Sequence, residues 1–248
     1  MSYLIFRLYG PMAAWGQAAI GGVRHSELRP TKSAIIGLVA AALGYKRDDS
    51  VNMQKLASSL MFAVKTINQG ELLRDFHTTQ VPSSNKKGPI KTRKDELTGK
   101  NHALNTILSI RDYRSDGLWI VALWLTKEPE ISLETIQTAF LKPKFSLSLG
   151  RKSCPLALPV TPMIIKDKTL KEALDYKFSP LSMFSYFEDR VFKKNNLVTY
   201  AWEGERSLLL ADGSQLEKVQ TISRWDDPID KLRWQFKKRA EHVLYLED

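Results

Sequence analysis

LWIVALWL, residues 118–125, is an unbroken run of eight apolar residues, half of them aromatic or β-branched. A run this short and this rich in such side chains reads as a strand covered on both faces. LMFAVKTI (60–67) has the same character, and SYLIFRLY (2–9) alternates in part and reads as a third buried strand. Between those two lies RPTKSAIIGLVAAALG (29–44), where Thr31 or Ser33 can cap a helix with an apolar face of Ile35, Leu38, Val39 and Ala42, and Gly44 can end it. Beyond the opening run, residues 131–141 read as a second amphipathic helix and residues 144–149 as a further strand. The order strand, helix, strand, insertion, strand, helix, strand predicts an α+β fold, a ferredoxin-like βαββαβ domain over residues 1–158, the architecture also used by RNA-recognition modules. Fold by itself assigns no function.

Two regions lie outside that plan. The insertion, about residues 72–114, begins with LLRDFHTTQ and ends with ALNTILSIRDYR, both strand-like, around a middle with six Lys/Arg (86, 87, 91, 93, 94, 100) against two acids (95, 96) and almost no apolar residues. The pattern predicts a β-ribbon thumb with a positive tip that its own core cannot hold. Such a tip is either a plain surface loop or a finger that orders on an anionic partner. Residues 159–248 mix a short helix (170–176) with short strands such as 197–202 and 207–210, and close with the basic, aromatic SRWDDPIDKLRWQFKKRAEHVLYLE; they are expected to form a small β-rich domain.

The 248 residues carry 37 Lys+Arg against 27 Asp+Glu, a formal charge of +10. That balance favours a polyanion, most often nucleic acid, or else a solvated basic face. One cysteine makes no internal disulfide, no Cys/His spacing suits zinc, and no run of about 18 apolar residues suggests a membrane span, so a cytoplasmic protein without metal or cofactor is expected. The N-terminal MSYLIFRLYGPMAAW lacks the pattern of a secretory signal. Catalytic motifs are missing from the pattern: His25, His77, His102 and His242 belong to no metal motif, there is no Walker A loop or nucleophile elbow, and Cys154 has cationic neighbours but no evident base. The acid pairs Asp48-Asp49 and Asp226-Asp227 read as caps and solvated turns. Only metal-independent RNA cleavage, which needs a base and cations but no fixed motif, stays open.

Several stretches in order, GPMAAWGQ, RPTKSAIIGLVAAALG with the following RDD, RDFHT, RDYR with LWIVALWLT, and LKPKFSLSLGRKSCPL, together resemble the CasD subunits of type I-E CRISPR Cascade complexes, within the fifth Cas protein family of the RAMP class. The likeness spans the first two-thirds of the chain and is weaker in RWDDPIDKLRWQFKKRAEHVLYL; the thumb tip here is longer and richer in lysine. The resemblance implies a non-catalytic, RNA-binding subunit for defence against foreign DNA. It would hold the 5′ handle of the CRISPR RNA and kink the guide with its thumb. Implied partners are that RNA, the backbone subunit of the seventh Cas family, the large subunit that reads the target's PAM, and target DNA indirectly through the complex, with no membrane. The rival from another class is a metal-independent endoribonuclease that processes CRISPR repeat RNA, as fifth-family proteins of type I-C systems do, with His25, His77, Lys32 and several tyrosines available.

A single-stranded handle is held by cations on phosphates and flat side chains on splayed bases. Trp15, with Gln17 in the same glycine-rich loop, is either a stacking platform or an ordinary core tryptophan. Arg24, His25, Arg29, Lys32 and Ser33 precede or open the first helix, whose free amides favour a phosphate, although each cation taken singly can be a plain surface charge. Arg74, His77, Arg111 and Arg114 fall on facing ribbon strands, where their mutual repulsion would be relieved by RNA. Lys86, Lys87, Arg93 and Lys94 charge the tip. In SLGRKSCPL (148–156), Gly150 permits a tight turn from which Arg151 and Lys152 grip a phosphate, with Cys154 as filler.

Overall fold

Strand β1 (Ser2–Tyr9) is followed by the short strands β2 (Met12–Ala13) and β3 (Val23–Arg24), helix α1 (Lys32–Leu43) and helix α2 (Ser50–Ser59). Then come β4 (Leu60–Asn68), the ribbon strands β5 (Glu71–Pro82) and β6 (Leu104–Ser115) with α3 (Arg93–Leu97) between them, β7 (Leu118–Leu125) and α4 (Leu133–Leu141). The rest is β8 (Met163–Lys166), α5 (Leu170–Leu174), β9 (Leu197–Trp202), β10 (Gln220–Asp230) and β11 (Gln235–Glu247). This computed structural model describes residues 1–17, 21–82, 91–97, 104–178, 197–210, 212–230 and 235–247.

The three apolar runs form the middle of a seven-stranded sheet, ordered β10-β11-β9-β4-β7-β1-β8. Alternate residues of a strand point to opposite faces, and here both faces are covered. Leu4, Phe6, Phe62, Val64, Val121 and Leu123 pack against α1, α2 and α4 through Ile35, Val39, Leu56, Ile136 and Phe140. Tyr3, Ile5, Ala63, Ala122 and Trp124 meet α5 through Leu170, Ala173 and Leu174, together with Tyr200 and Trp202 of β9. Burial on two sides is why these strands are mostly apolar rather than alternating, with Arg7 and Lys65 as buried exceptions.

Helix α1 starts and stops as its sequence dictates. The Thr31 side chain accepts from the Ala34 amide, and Gly44 closes the helix at φ 82°, returning its own N–H to the last turn. The next two carbonyls, Ala41 and Ala42, accept from the amides of Phe145 (3.1 Å) and Lys144 (3.0 Å). That corrects the strand expected over residues 144–149: its first amides are spent capping a helix, and the segment keeps only a bridge between Ser148 and Pro155. The fourth neighbour in this half of the sheet is β8, paired with β1 from Ser2↔Lys166 to Ile5↔Met163. Residues 207–210 likewise form no strand.

Among the described residues, those beyond 158 form no sheet of their own. Strand β9 pairs with β4 (Ala63↔Trp202 to Thr66↔Thr199), β11 pairs with β9, and β10 pairs with β11, so the C-terminal strands extend the central sheet. The ribbon, by contrast, follows its sequence: β5 and β6 pair antiparallel over twelve residues each, from Glu71↔Ser115 to Pro82↔Leu104. Among the described residues no helix is long and apolar enough to cross a membrane.

Candidate nucleic-acid interface

Where the ribbon leaves the body, β6 is flanked by β5 on one edge and by β3 and β2 on the other, with β3 parallel at Val23↔Ile110 and Arg24↔Arg111. Residues directly opposite each other share a face. One face therefore carries Leu72, Arg74, Phe76, Arg114, Asp112 and Ile110, and the other Leu73, Asp75, His77, Tyr113, Arg111 and Ile107. The four ribbon side chains expected to act together thus divide, Arg74 and Arg114 on one side and His77 and Arg111 on the other. The expected repulsion between them needs correction too, because Asp112 stands opposite Arg74 and Asp75 opposite Arg111.

Asp112 is the hub. Its side chain is 4 % exposed, while those of Arg74 and His25 around it are 53 % and 69 % exposed. Arg74 donates Nε to Oδ1 (2.8 Å) and Nη2 to Oδ2 (3.0 Å), and His25 Nδ1 lies 2.9 Å from Oδ2. Chiefly through the Arg74 hydrogen bonds, the carboxyl is held down at about 2 despite its burial, so it is ionised at any physiological pH.

The loop after α4 closes on the same strand. Arg151 stacks 4.8 Å above the Tyr113 ring and donates to the carbonyls of Asp112 (3.3 Å) and Arg24 (3.2 Å), which fastens β3 to β6. Its Gly150 has φ 88°, and a Cβ there would stand 1.9 Å from the Ala14 carbonyl oxygen, so only glycine brings the loop this close. Lys152 is exposed beside it. Arg114 reaches the Ser26 carbonyl at 3.4 Å, and Arg24 is exposed, its guanidinium turned back to the carbonyls of Gly21 and Val23. The ribbon root thus gathers Arg24, His25, Arg74, Arg111, Arg114, Arg151 and Lys152. Exposed apolar side chains continue outward from it: Leu72, Leu73, Phe76, Ile107 and Leu108.

Other expected contacts lie elsewhere. Trp15 is 1 % exposed and packs edge-on against Trp119 at 5.1 Å, so it is a core residue and offers no face to a base. Arg29 and Lys32 are buried and face inward, away from any ligand on the surface. Arg29 donates to Glu241 (Nε to Oε2 3.1 Å), and Lys32 Nζ donates to Glu203 (3.0 Å) and lies 3.6 Å from Asp227. The helix N-terminus already has its anion: Asp226 Oδ2 accepts from the Lys32 amide (2.9 Å), and the same carboxylate is gripped by Arg239 at 2.7 and 2.9 Å. Ser33, half-buried in the first turn, lies 3.3 Å from the Thr31 hydroxyl. The pair Asp226-Asp227 is therefore a buried strand pair rather than a solvated turn. Burial alone would raise the Asp226 carboxyl, but the Arg239 hydrogen bonds hold it below the usual range, whereas burial keeps Glu203 above it. A signal for this network was present: Arg224/Asp226 and Arg239/Glu241 are each two apart, the strand spacing that turns both side chains to one face.

Further along the ribbon, His77, Thr79, Gln80, Thr106 and Arg93 line an open concavity of about 610 Å³. Arg93 pairs with Glu96 and with the Gln80 carbonyl, which sets α3 against β5. Lys94 is exposed on α3, and Gln17 is exposed after Trp15. Lys86, Lys87 and His102 lie outside the described residues. His242 is buried between Thr221 and the Gly204 carbonyl. Cys154 is fully buried, and burial pushes its thiol up, the opposite of a nucleophile's environment. Among the described residues no group of three His, Cys, Asp or Glu is placed to hold a metal ion.

A family model described as CRISPR-associated protein (Cas_Cas5) matches residues 3–240. The CRISPR system Cascade subunit CasD of Escherichia coli (strain K12) is 39% identical over 160 residues, 64% of this chain and 69% of that protein. A chain of a CRISPR RNA-guided surveillance complex superposes with a TM-score of 0.60 at 23% identity, covering 99% of this chain and 89% of its own. The crystal structure of a Cas protein gives 0.59 at 24%, covering 99% and 95%. At those identities the two superpositions speak to the fold alone.

Proposed function

The chain belongs to the Cas_Cas5 family of CRISPR-associated proteins, and from that premise we propose that it is a non-catalytic, RNA-binding subunit of a type I-E Cascade complex. It holds the 5′ handle of the CRISPR RNA, and its ribbon acts as a thumb that kinks the guide. The backbone subunit of the seventh Cas family and the large PAM-reading subunit are its neighbours, target DNA meets it only through the complex, and the cytoplasm is its compartment. The strand order β8-β1-β7-β4, with α1 and α4 on one face, supports reading its first part as a ferredoxin-like βαββαβ core from which the thumb projects.

The observation that carries this reading is the root of the ribbon. Six cationic side chains gather there on a short stretch of backbone, Arg74 and Arg114 on the face that also carries exposed Leu72 and Phe76, Arg24 and Arg111 on the other, and Arg151 and Lys152 in the adjoining loop. Cations for phosphates next to apolar side chains for unstacked bases are what a bent single strand requires. Mixing the chain with end-labelled repeat RNA in EDTA, with native and denaturing gels across a salt series, tests it. Intact RNA that shifts, with an affinity that depends on the handle, is expected; defined cleavage of the RNA overturns the non-catalytic reading, and failure to bind overturns the RNA reading.

A further inference from the structure

A carboxylate at the centre of a surface that takes RNA is an anomaly on electrostatic grounds, since its charge repels phosphate. The geometry points to a different role: we propose that Asp112 is a positioning residue that aims Arg74 and His25 together at one phosphate of the bound strand. The proposal rests on the RNA-binding reading above and adds to it the device by which the ribbon root selects a single phosphate.

Both Asp112 oxygens are committed, Oδ1 to Arg74 Nε and Oδ2 to Arg74 Nη2 and His25 Nδ1. A guanidinium gripped along its Nε/Nη2 edge keeps Nη1, with two N–H groups, on its outer edge. An imidazole held through Nδ1 has its Nε2 on the opposite side of the ring, and in the imidazolium form that nitrogen donates. One buried carboxylate therefore fixes two exposed side chains: Arg74 keeps a second donor for an anion, and His25 does so when it carries both ring protons. The anchor itself is stiff: Asp112 lies on β6 between β5 and the β3 side, and its own carbonyl accepts from Arg151. Free on a ribbon, an arginine samples many rotamers, and fixing one on binding costs affinity; Asp112 removes that cost before RNA arrives. The arrangement follows the logic of a histidine oriented by a carboxylate behind it.

The two accounts of Asp112 differ in sign. If only charge matters, removing a carboxylate from a basic surface tightens RNA binding. If Asp112 positions the donors, Asp112→Asn weakens binding of handle RNA, by roughly tenfold for the loss of one charge-assisted contact. The salt slope of binding then also falls by about 0.7, one phosphate's worth on a single strand. Glu71→Gln, which removes the same charge from an exposed position at the start of the same ribbon, serves as the control and is expected to leave binding unchanged or slightly tighter. Asp112→Glu keeps the charge but moves the carboxylate outward by a methylene; it too is expected to weaken binding. Melting curves of each variant show whether it folds.

A scan of handle RNA carrying one neutral methylphosphonate at a time on the unaltered chain needs no Asp112 variant. One position is expected to cost about as much as Asp112→Asn, and that penalty is expected to vanish in the Arg74→Ala, His25→Ala double variant. Tighter binding by folded Asp112→Asn, or a scan in which no single phosphate stands out, overturns the proposal while leaving RNA binding itself intact. Failure of the unaltered chain to bind RNA would instead remove the reading on which it rests.

Discussion

Two buried side chains show how context, rather than residue type, decides a role. Cys154 sits two residues beyond the Arg151-Lys152 pair, which would activate an exposed thiol, yet burial dominates and raises it. It is therefore expected to resist alkylation in the folded chain at neutral pH and to react once the chain is unfolded in urea, and Cys154→Ala is expected to leave RNA binding unchanged. Trp15, within its glycine-rich loop, fills the core beneath the ribbon root. Trp15→Ala is expected to cost about 3–5 kcal/mol of stability by equilibrium unfolding. Asp112 adds a pH argument. Its carboxyl is held at about 2 in the native state, below the ~3.9 of an unfolded chain, so its contribution is complete above about pH 4 and is lost as pH falls toward 2. Variation of pH around neutrality leaves the Asp112–Arg74 pair untouched. These residues were only half legible in the sequence: Cys154 as filler and Gly150 as the turn could be read there, but no local pattern says that Trp15 points inward or that Asp112 gathers cations from two other segments.

At the scale of elements, the apolar runs were readable because burial on both faces leaves a continuous signature, and the ribbon because two strand-like segments flank a charged middle with almost no apolar residues. The β10–β11 hairpin was opaque for the opposite reason. Its interior face is charged, and a charged strand reads as surface unless its partners are known. Those partners lie about 200 residues earlier: Arg224 donates to Glu27 at 2.9 Å, and Asp226 accepts from the amide that begins α1. Removing one member of such a network leaves its partners buried without compensation, so Asp226→Ala is expected to cost about 3–5 kcal/mol. Hydrogen exchange should then show the first turn of α1 losing protection before the central strands do. Loss of protection confined to the hairpin would mean that Asp226 does not hold the helix. The expected strand at 144–149 failed in a related way, since its amides cap α1, a bond between distant segments that no local periodicity records.

For the whole molecule, the sheet is the unit. Strands β9 and β11 close the β4 edge, and Tyr200 and Trp202 extend the apolar face that α5 packs against. A chain ending at residue 158 is therefore expected not to melt cooperatively, whereas a separate C-terminal domain would leave it folded. The net charge of +10 is a property of the same scale, and its use depends on where the cations stand. Composition pointed to a polyanion; only the fold separates Arg29 and Lys32, which neutralise buried acids, from the exposed cations at the ribbon root. Photo-cross-linking of handle RNA to the purified chain, with the linked peptides identified by mass spectrometry, tests that division most directly. The account predicts cross-links in residues 22–26, 72–78, 108–114 and 148–153; links concentrated on the β10–β11 hairpin, with the ribbon root unmodified, would contradict it.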